Sequence, residues 1–302
     1  MRALAAEAER RDGYSPFGDD LWRTLEADRP GLAVLFAHER PPQDGNGETE
    51  PAGALVLDAD ASMRARAALV VRPSRRGTGV EAHLLEAARA DASSRGARRL
   101  QLWVLGVDDQ TPVLDPLTPE RELWQMRVPL PFAEVPRWGP GIEVRSFEIG
   151  RDEDAWLEVN NRAFGAHPEQ GRWDLATIRA RETEDWFDPT GLLLAFDADG
   201  LAGSIWMRMH PPAPPHEPHT RGEVYVLAVD PGRQGQGLGH ALLLAGLDHG
   251  YRRGAPVGML YVDAANAPAT ALYRSLGFVV SRVDALYGCP LETPLDSRGG
   301  TT

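Results

Sequence analysis

The chain has 302 residues, a formal net charge of −12 and an apolar fraction of 42%. That length suits two domains and a sizeable core, and the lone cysteine, Cys289, excludes an internal disulfide framework and a cysteine-built metal centre. The acidic balance argues against a general nucleic-acid partner, and no run reaches the roughly 18 apolar residues of a membrane-spanning helix. The N-terminus, MRALAAEAERRDGYSPF, carries acids and lacks the apolar core of a secretory signal. The expectation is a cytoplasmic protein without membrane or nucleic-acid partners. All 32 basic residues are arginine, so no lysine amine is present for Schiff-base chemistry.

In chain order, the first punctuated stretch is PPQDGNGETEPAG at 41–53, which reads as a hairpin connection. Ala68 to Val104 reads as an apolar strand, a proline, an Arg/Gly-rich loop, an amphipathic helix and a second strand. Asp108 to Glu120 is broken by prolines, and PLPFAEVPRWGPG at 129–141 reads as a boundary between domains at 1–138 and 139–302. IEVRSF at 142–147 alternates as a strand. A helix is expected over Glu153–Phe164, strands over Leu192–Phe196 and Ala202–Met209, and irregular chain over the proline-rich HPPAPPHEPHTRG at 210–222. A strand over Glu223–Val229, a helix over Gly239–Arg252 and a strand over Val257–Val262 follow. A short helix over Ala267–Leu276 and a last strand over Phe278–Val283 complete the reading.

Leu227–Val262 repeats the pattern of Ala68–Val104. Pro73 and Pro231 lie 158 positions apart, whereas the pairs Gly77/Gly79 and Gly237/Gly239 lie 160 apart, so the first loop reads as two residues shorter. Repetition at this distance indicates a duplicated domain, not a solenoid. The fold class is α/β, with mixed sheets flanked by helices.

The segment VYVLAVDPGRQGQGLGHALL at 224–243 runs from a strand through a glycine-rich turn into a helix. Glycines permit close backbone approach, and the helix N-terminus offers unpaired N–H groups and a positive dipole end. That combination suits an anion such as a pyrophosphate, with Arg233 adding charge at the rim. The same glycines also suit a connection that binds nothing. Neither GxxxxGK[ST] nor GxGxxG occurs.

Val229, Pro231, Gln234, Gly237 and Gly239 spell V-x-P-x-x-Q-x-x-G-x-G, which resembles the acetyl-CoA signature of the GCN5-related N-acetyltransferases (GNAT). NAPATALYRSLGF at 266–278 is similar to that family's later motif, N-x-x-A-x-x-x-Y-x-x-x-GF. The resemblance implies two tandem GNAT-type domains and acetyl-CoA as co-substrate, with no metal. It implies cofactor contacts from Leu227, Ala228 and Val229 on the strand and from Gln234, Gly235, Gln236, Gly237, Leu238, Gly239 and His240 in the loop. Asn266, Ala267, Pro268, Ala269, Thr270 and Ala271 would contact it from the short helix. Leu69, Val70, Val71, Arg76, Gly77 and Gly79 are the weaker counterparts in the first half. Glu223 would take the amine proton, the N–H of Leu227 would hold the oxyanion, and Tyr273 would protonate the departing thiolate. Read without the resemblance, Glu223 is also a solvated strand end and Tyr273 a core aromatic.

NNRAFGAHPEQGRWD at 160–174, EDWFDPTGLLLAF at 184–196, GEVYVLAVDP at 222–231 and RELWQMRVPL at 121–130 resemble the mycothiol synthase family of actinobacteria. The all-arginine composition fits a high-GC genome of that kind. This resemblance implies acetylation of the cysteinyl amine of Cys-GlcN-Ins, catalysed by the second domain. Asp19, Glu169, Arg208, Glu223 and Tyr261 fall at positions that bind this acceptor. The family carries a glutamate where Asp19 stands and a lysine where Arg208 stands. Glu169 in HPEQG is, in isolation, ordinary turn chemistry. The first loop has Ser74 where a Gln or Arg is expected, so the first half is expected to lack catalysis. It would support the second half and lend Asp19 to the acceptor site. A monomer acting on a small molecule is expected. The alternatives are an acetyltransferase for another primary amine, such as an aminoglycoside or a protein N-terminus, and an acyl-CoA-binding module without catalysis. His210, His216 and His219 match no metal-ligand spacing, and their segment reads as disorder or a lid. Cys289 reads as a structural or free thiol.

Overall fold

A computed structural model describes residues 1–18, 21–22, 25, 31–38, 50–59, 63–108, 111, 114–165 and 171–292. The chain divides into two compact units. Unit 1 is Met1–Trp124, Asp263–Ala265 and Arg282–Thr302, and unit 2 is Gln125–Val262 and Asn266–Ser281. The units interleave in the chain, so they differ from a consecutive division at 138/139. Within the described residues no helix is long and apolar enough to cross a membrane.

Unit 1 contains α1 (Arg2–Asp12), β1 (Leu32–His38), β2 (Pro51–Ala59), β3 (Arg64–Val71), α2 (Val80–Ser94) and β4 (Arg99–Val104). Its sheet order is β1-β2-β3-β4, followed by the later part of β11 (Val279–Pro290). All pairs are antiparallel except β3 with β4. Strand alternation sends Leu55 and Leu57 toward α2, whose Leu84, Leu85 and Ala88 meet them. Ala54 and Val56 face the other way, onto Leu4, Ala5 and Ala8 of α1. Cys289 is a free thiol buried in the α2-side core, and burial pushes its pKa up.

Unit 2 contains β6 (Glu143–Ser146), α3 (Glu153–Ala163), α4 (Leu175–Glu182), β7 (Leu192–Asp197), β8 (Gly200–His210) and β9 (Arg221–Val229). It continues with α5 (Leu238–Arg252), β10 (Val257–Asp263) and α6 (Ala267–Ser275). The later residues of β5 (Thr118–Pro129) belong here, and the sheet order is β5-β10-β9-β8-β7-β6. The β9–β10 pair is parallel, and β6–β7, β7–β8 and β8–β9 are antiparallel. One face of the sheet carries an aromatic cluster in which Trp206 lies 5.5 Å from Trp156, 5.7 Å from Trp186 and 5.3 Å from Tyr225. The sheets are thus mixed, mostly antiparallel and flanked by helices, as the sequence implies.

The two halves superimpose in local detail at a constant offset. Pro73–Arg75 and Pro231–Arg233 form 3-10 turns, and α2 and α5 each start after a left-handed glycine, Gly79 (φ 93°) and Gly237 (φ 83°). The equivalent glycines are therefore Gly77/Gly79 and Gly235/Gly237, and the two loops have the same length. This corrects the expectation of a shorter first loop, which aligned the wrong glycine pair. Only a glycine with positive φ turns the chain from strand into helix here, and Gly239 lies already inside α5. Arg76, not Ser74, is then the counterpart of Gln234. Their side chains make the same bond, Arg76 Nε donating to the carbonyl of Val71 (3.4 Å) and Gln234 Nε2 to that of Val229 (3.2 Å).

Both halves also seat the helix on a strand glycine. A Cβ on Gly53 of β2 would lie 2.9 Å from Val80 and 3.0 Å from Leu84 of α2. A Cβ on Gly203 of β8 would lie 2.8 Å from the carbonyl oxygen of Ala228 and 3.0 Å from Leu242 of α5. A salt bridge tethers the other helix to the loop in each half. Glu7 of α1 meets Arg72 (3.3 Å) in unit 1, and Arg162 of α3 meets Asp230 (2.7 Å) in unit 2. Arg72 and Asp230 are equivalent positions, so the tether is kept with its charges exchanged.

Other differences from the expected elements are local. The last strand runs to Pro290, because its later residues Ala285–Pro290 pair with β4. Helix α4 was not expected. It is capped by Asp174, whose carboxylate accepts from Thr177 N, and buries only Ile178, so its apolar period is weak. The segment 210–222 is held in place by a bridge between Ala213 and Glu217, and by Glu217 binding Arg127 (2.5 Å) and Arg221 (3.3 Å). Of the expected hairpin connection, 51–53 belongs to β2 and 41–49 lies outside the described residues.

Replacing Gly203 by alanine is expected to destabilise the protein by roughly 1–3 kcal/mol through overpacking against backbone. A shift of the denaturant midpoint measures it, and an unchanged midpoint would show that α5 does not need this seat.

Candidate active site

The site is assembled where β9 leaves β10. Their parallel register runs from Arg221–Val257 to Val224–Leu260, and residues 225–229 make no ladder pairing with β10. On the other side β9 stays paired with β8, opposing Val226 to Trp206 and Val224 to Met207, which leaves Tyr225 as a bulge. The open edge of β9 therefore offers backbone groups that need partners. Leu227 and Val229 are half-buried there, and Ala228 is buried.

The loop after β9 is organised around Asp230, whose carboxylate accepts from the N–H of Gly232 (2.9 Å). Gln234, Gly235, Gln236 and Gly237 are exposed, Leu238 is buried, and Gly239 and His240 are half-buried in the first turn of α5. That turn presents unpaired N–H groups and a positive dipole end to solvent. Arg233 does not serve as a free rim charge. It binds Asp197 (2.8 Å) and Asp199 (2.9 Å).

Further back along β9 sits Glu223, only 7% exposed. Its register neighbours are Arg208 on β8 and Met259 on β10. His210 Nε2 lies 2.6 Å from Glu223 Oε2. The guanidinium of Arg208 lies 4.7 Å from the ring of Trp186, within cation–π reach. Tyr261 on β10 is 38% exposed, and its hydroxyl accepts from Gln125 Nε2 (2.9 Å). Gln125 in turn accepts from Arg127, which binds Glu217. His210 is the residue that sequence reasoning missed. Strand alternation places it on the same face as Arg208, two residues earlier, but the expected strand stops at Met209, and only the extension of β8 to His210 brings it there.

Helix α6 carries the later motif. Asn266 caps it by accepting from the N–H of Ala269 (3.2 Å), with Ala267 and Pro268 in the exposed first turn. Thr270 and Tyr273 are buried, Ala269 is half-buried and Ala271 exposed. Burial pushes the Tyr273 hydroxyl up to about 12. Asp19 and Glu169 lie outside the described residues. Leu69, Val70 and Val71 lie on β3, and Arg76, Gly77 and Gly79 lie in the loop before α2, all within unit 1. Among the described residues no group of three or more His, Cys, Asp or Glu side chains is placed to hold a metal ion.

The raised Tyr273 pKa carries a sign. Stability linked to this group is complete below pH 10, the unfolded value, and is lost as pH rises to about 12. A Tyr273→Phe variant is expected to lose less stability than wild type between pH 10 and 12 in alkaline denaturation. Equal losses would contradict the burial of a titrating hydroxyl.

Residues 154–278 match the model of the Acetyltransferase (GNAT) family. Over the whole fold the chain is similar to a GCN5-related N-acetyltransferase from Sphaerobacter thermophilus, with a TM-score of 0.71 and 23% identity, covering 96% of this chain and 91% of that one. It is similar in fold to a tandem GNAT protein of the clavulanic acid pathway, with a TM-score of 0.67 and 20% identity, covering 96% and 93%. Its sequence is 41% identical over 300 residues to the mycothiol acetyltransferase of Cellulomonas flavigena, covering 96% of this chain and 85% of that protein. It is 42% identical over 303 residues to that of Thermomonospora curvata, covering 95% and 92%. With a GNAT fold in which a splayed strand, a glycine turn and a buried carboxylate come together, the chain belongs to the mycothiol acetyltransferases, a family of GNAT enzymes.

Proposed function

We propose that the chain transfers the acetyl group of acetyl-CoA to the cysteinyl amine of Cys-GlcN-Ins, the last step of mycothiol synthesis. The observation that carries this reading is the placement of Glu223. It is a buried carboxylate on the strand that opens toward the glycine turn, with an imidazole on one oxygen. Near-full-length likeness to relatives named mycothiol acetyltransferase supports the choice of amine.

The residues fit acetyl-CoA as co-substrate. The turn from Gln234 to Gly239 and the first turn of α5 suit its diphosphate. The edge of β9 that β10 leaves open at Leu227, Ala228 and Val229 suits the amides of its pantetheine arm, with the Val229 carbonyl held meanwhile by Gln234. The first turn of α6, from Asn266 to Ala271, is assigned to the same arm on its motif alone. Glu223 then accepts a proton from the acceptor's ammonium, directly or through one water, and the amine so freed attacks the thioester carbonyl. His210 holds the carboxylate oxygen in one orientation and passes the proton outward. The N–H of Leu227 meets the negative charge that grows on the carbonyl oxygen. Tyr273 keeps its proton throughout the neutral range and gives it to the departing thiolate. Arg208 and Tyr261, beside Glu223 on β8 and β10, are the described residues of unit 2 assigned to the acceptor, whose hydroxyls need hydrogen-bonding partners.

Release of coenzyme A thiol by the purified protein tests the reading, with free cysteine and glucosamine as controls. Turnover is expected only with the complete acceptor. Glu223→Gln is expected to lower kcat by about 10²–10⁴-fold, the usual contribution of a general base. Turnover on the control amines alone would move the activity to another acceptor. His210→Ala is expected to lower kcat by about tenfold with the KM for acetyl-CoA unchanged, while His210→Gln, which retains a donor, restores part of the rate. An unchanged kcat in His210→Ala would leave His210 a purely structural partner.

A further inference from the structure

Unit 1 retains the whole scaffold of the coenzyme-binding turn. β3 and β4 pair in parallel only as far as Ala68–Trp103, the 3-10 turn and the left-handed glycines are present, and a cavity of about 520 Å³ lies between the strand ends. Two carboxylates of unit 1 occupy the groups that an incoming diphosphate would use. The Gly77 N–H, equivalent to that of Gly235 in unit 2, donates to Glu81 Oε1 (3.1 Å). The Arg76 guanidinium, at the position of Gln234, donates two bonds to Asp12, at 2.8 Å and 2.6 Å. Glu81 stands where unit 2 has Gly239. A Cβ at Gly239 would meet nothing closer than Val229 Cγ2, at an ordinary 3.5 Å. Packing therefore does not demand glycine at that position, and the space in front of it is left to a ligand.

We propose that Glu81, helped by Asp12, acts as a built-in substitute for the diphosphate, so that the chain takes coenzyme A at the unit 2 turn alone. A carboxylate already bound to the turn must be displaced before a phosphate can enter. If it stays nearby, it repels the phosphate's negative charge at short range. The two turns thus share one backbone, and among the side chains that differ between them Glu81 is the one bound to the turn's own N–H. The inference rests on the acetyl-CoA reading above only in its choice of probe.

The test is the stoichiometry and affinity of coenzyme A itself on the full chain, by calorimetry or equilibrium dialysis. Wild type is expected to bind one equivalent, and Glu81→Gly, alone or with Asp12→Asn, a second. Thiol release is expected to be unchanged in Glu81→Gly, since Glu81 belongs to no part of the proposed catalytic machinery. The reciprocal variant Gly239→Glu is expected to weaken the remaining site by about tenfold or more, as one added short-range repulsion does. Two equivalents on wild type would overturn the inference and leave the proposed activity standing. A single equivalent on Glu81→Gly/Asp12→Asn, or wild-type affinity in Gly239→Glu, would also overturn it. No binding to wild type at all would overturn the acetyl-CoA reading instead.

Discussion

In each half a helix rests on a strand residue that has no side chain, Gly53 under α2 and Gly203 under α5. That contact fixes how closely the helix lies to its sheet, and so where its first turn points. The left-handed glycine that closes the short loop, Gly79 or Gly237, then turns the chain into the helix. Strand end, turn and helix start become one rigid piece of backbone. The open strand edge and the exposed N–H groups are consequences of that piece, and the chemistry attributed to the site needs both at a fixed separation.

Glu223 and Tyr273 reach their properties by different routes. Glu223 is buried but has partners, facing His210 through one oxygen and Arg208 across the β8–β9 ladder. Tyr273 is governed by burial in α6 next to Phe278, with ring centres 5.7 Å apart. One environment keeps a carboxylate hydrogen-bonded and oriented, and the other keeps a hydroxyl protonated.

Much of this was legible in the residues. The order of strands and helices in the second half follows from period and punctuation, and Gly277 stops α6 where a left-handed cap is expected. The glycine turn and the Asn266–Phe278 motif locate the site because their spacing reflects the helix start and cap that the structure forms. Three things were not legible. The offset between halves was misjudged because Gly235, Gly237 and Gly239 look alike in sequence, whereas only the first two take a positive φ and Gly239 lies inside the helix. Helix α4 has too few buried residues to leave a period. The tie between His210 and Glu223 joins residues on two strands across a proline-rich connection, and only the β8–β9 register brings them within reach.

The exchanged tethers bear on how a duplicated chain folds. Two halves with the same scaffold present each helix with two similar docking grooves, and misassembly between repeats is a recurrent hazard. If α1 were to lie on the unit 2 turn, Glu7 would face Asp230. If α3 were to lie on the unit 1 turn, Arg162 would face Arg72. Each wrong docking opposes like charges, and each right one joins opposite charges at 3.3 Å and 2.7 Å. Exposed pairs of this kind contribute little to the finished structure, about 1 kcal/mol or less. Their sign nevertheless distinguishes self from copy while the helices are still choosing a partner, so a reversed salt bridge works as an address label within the repeat.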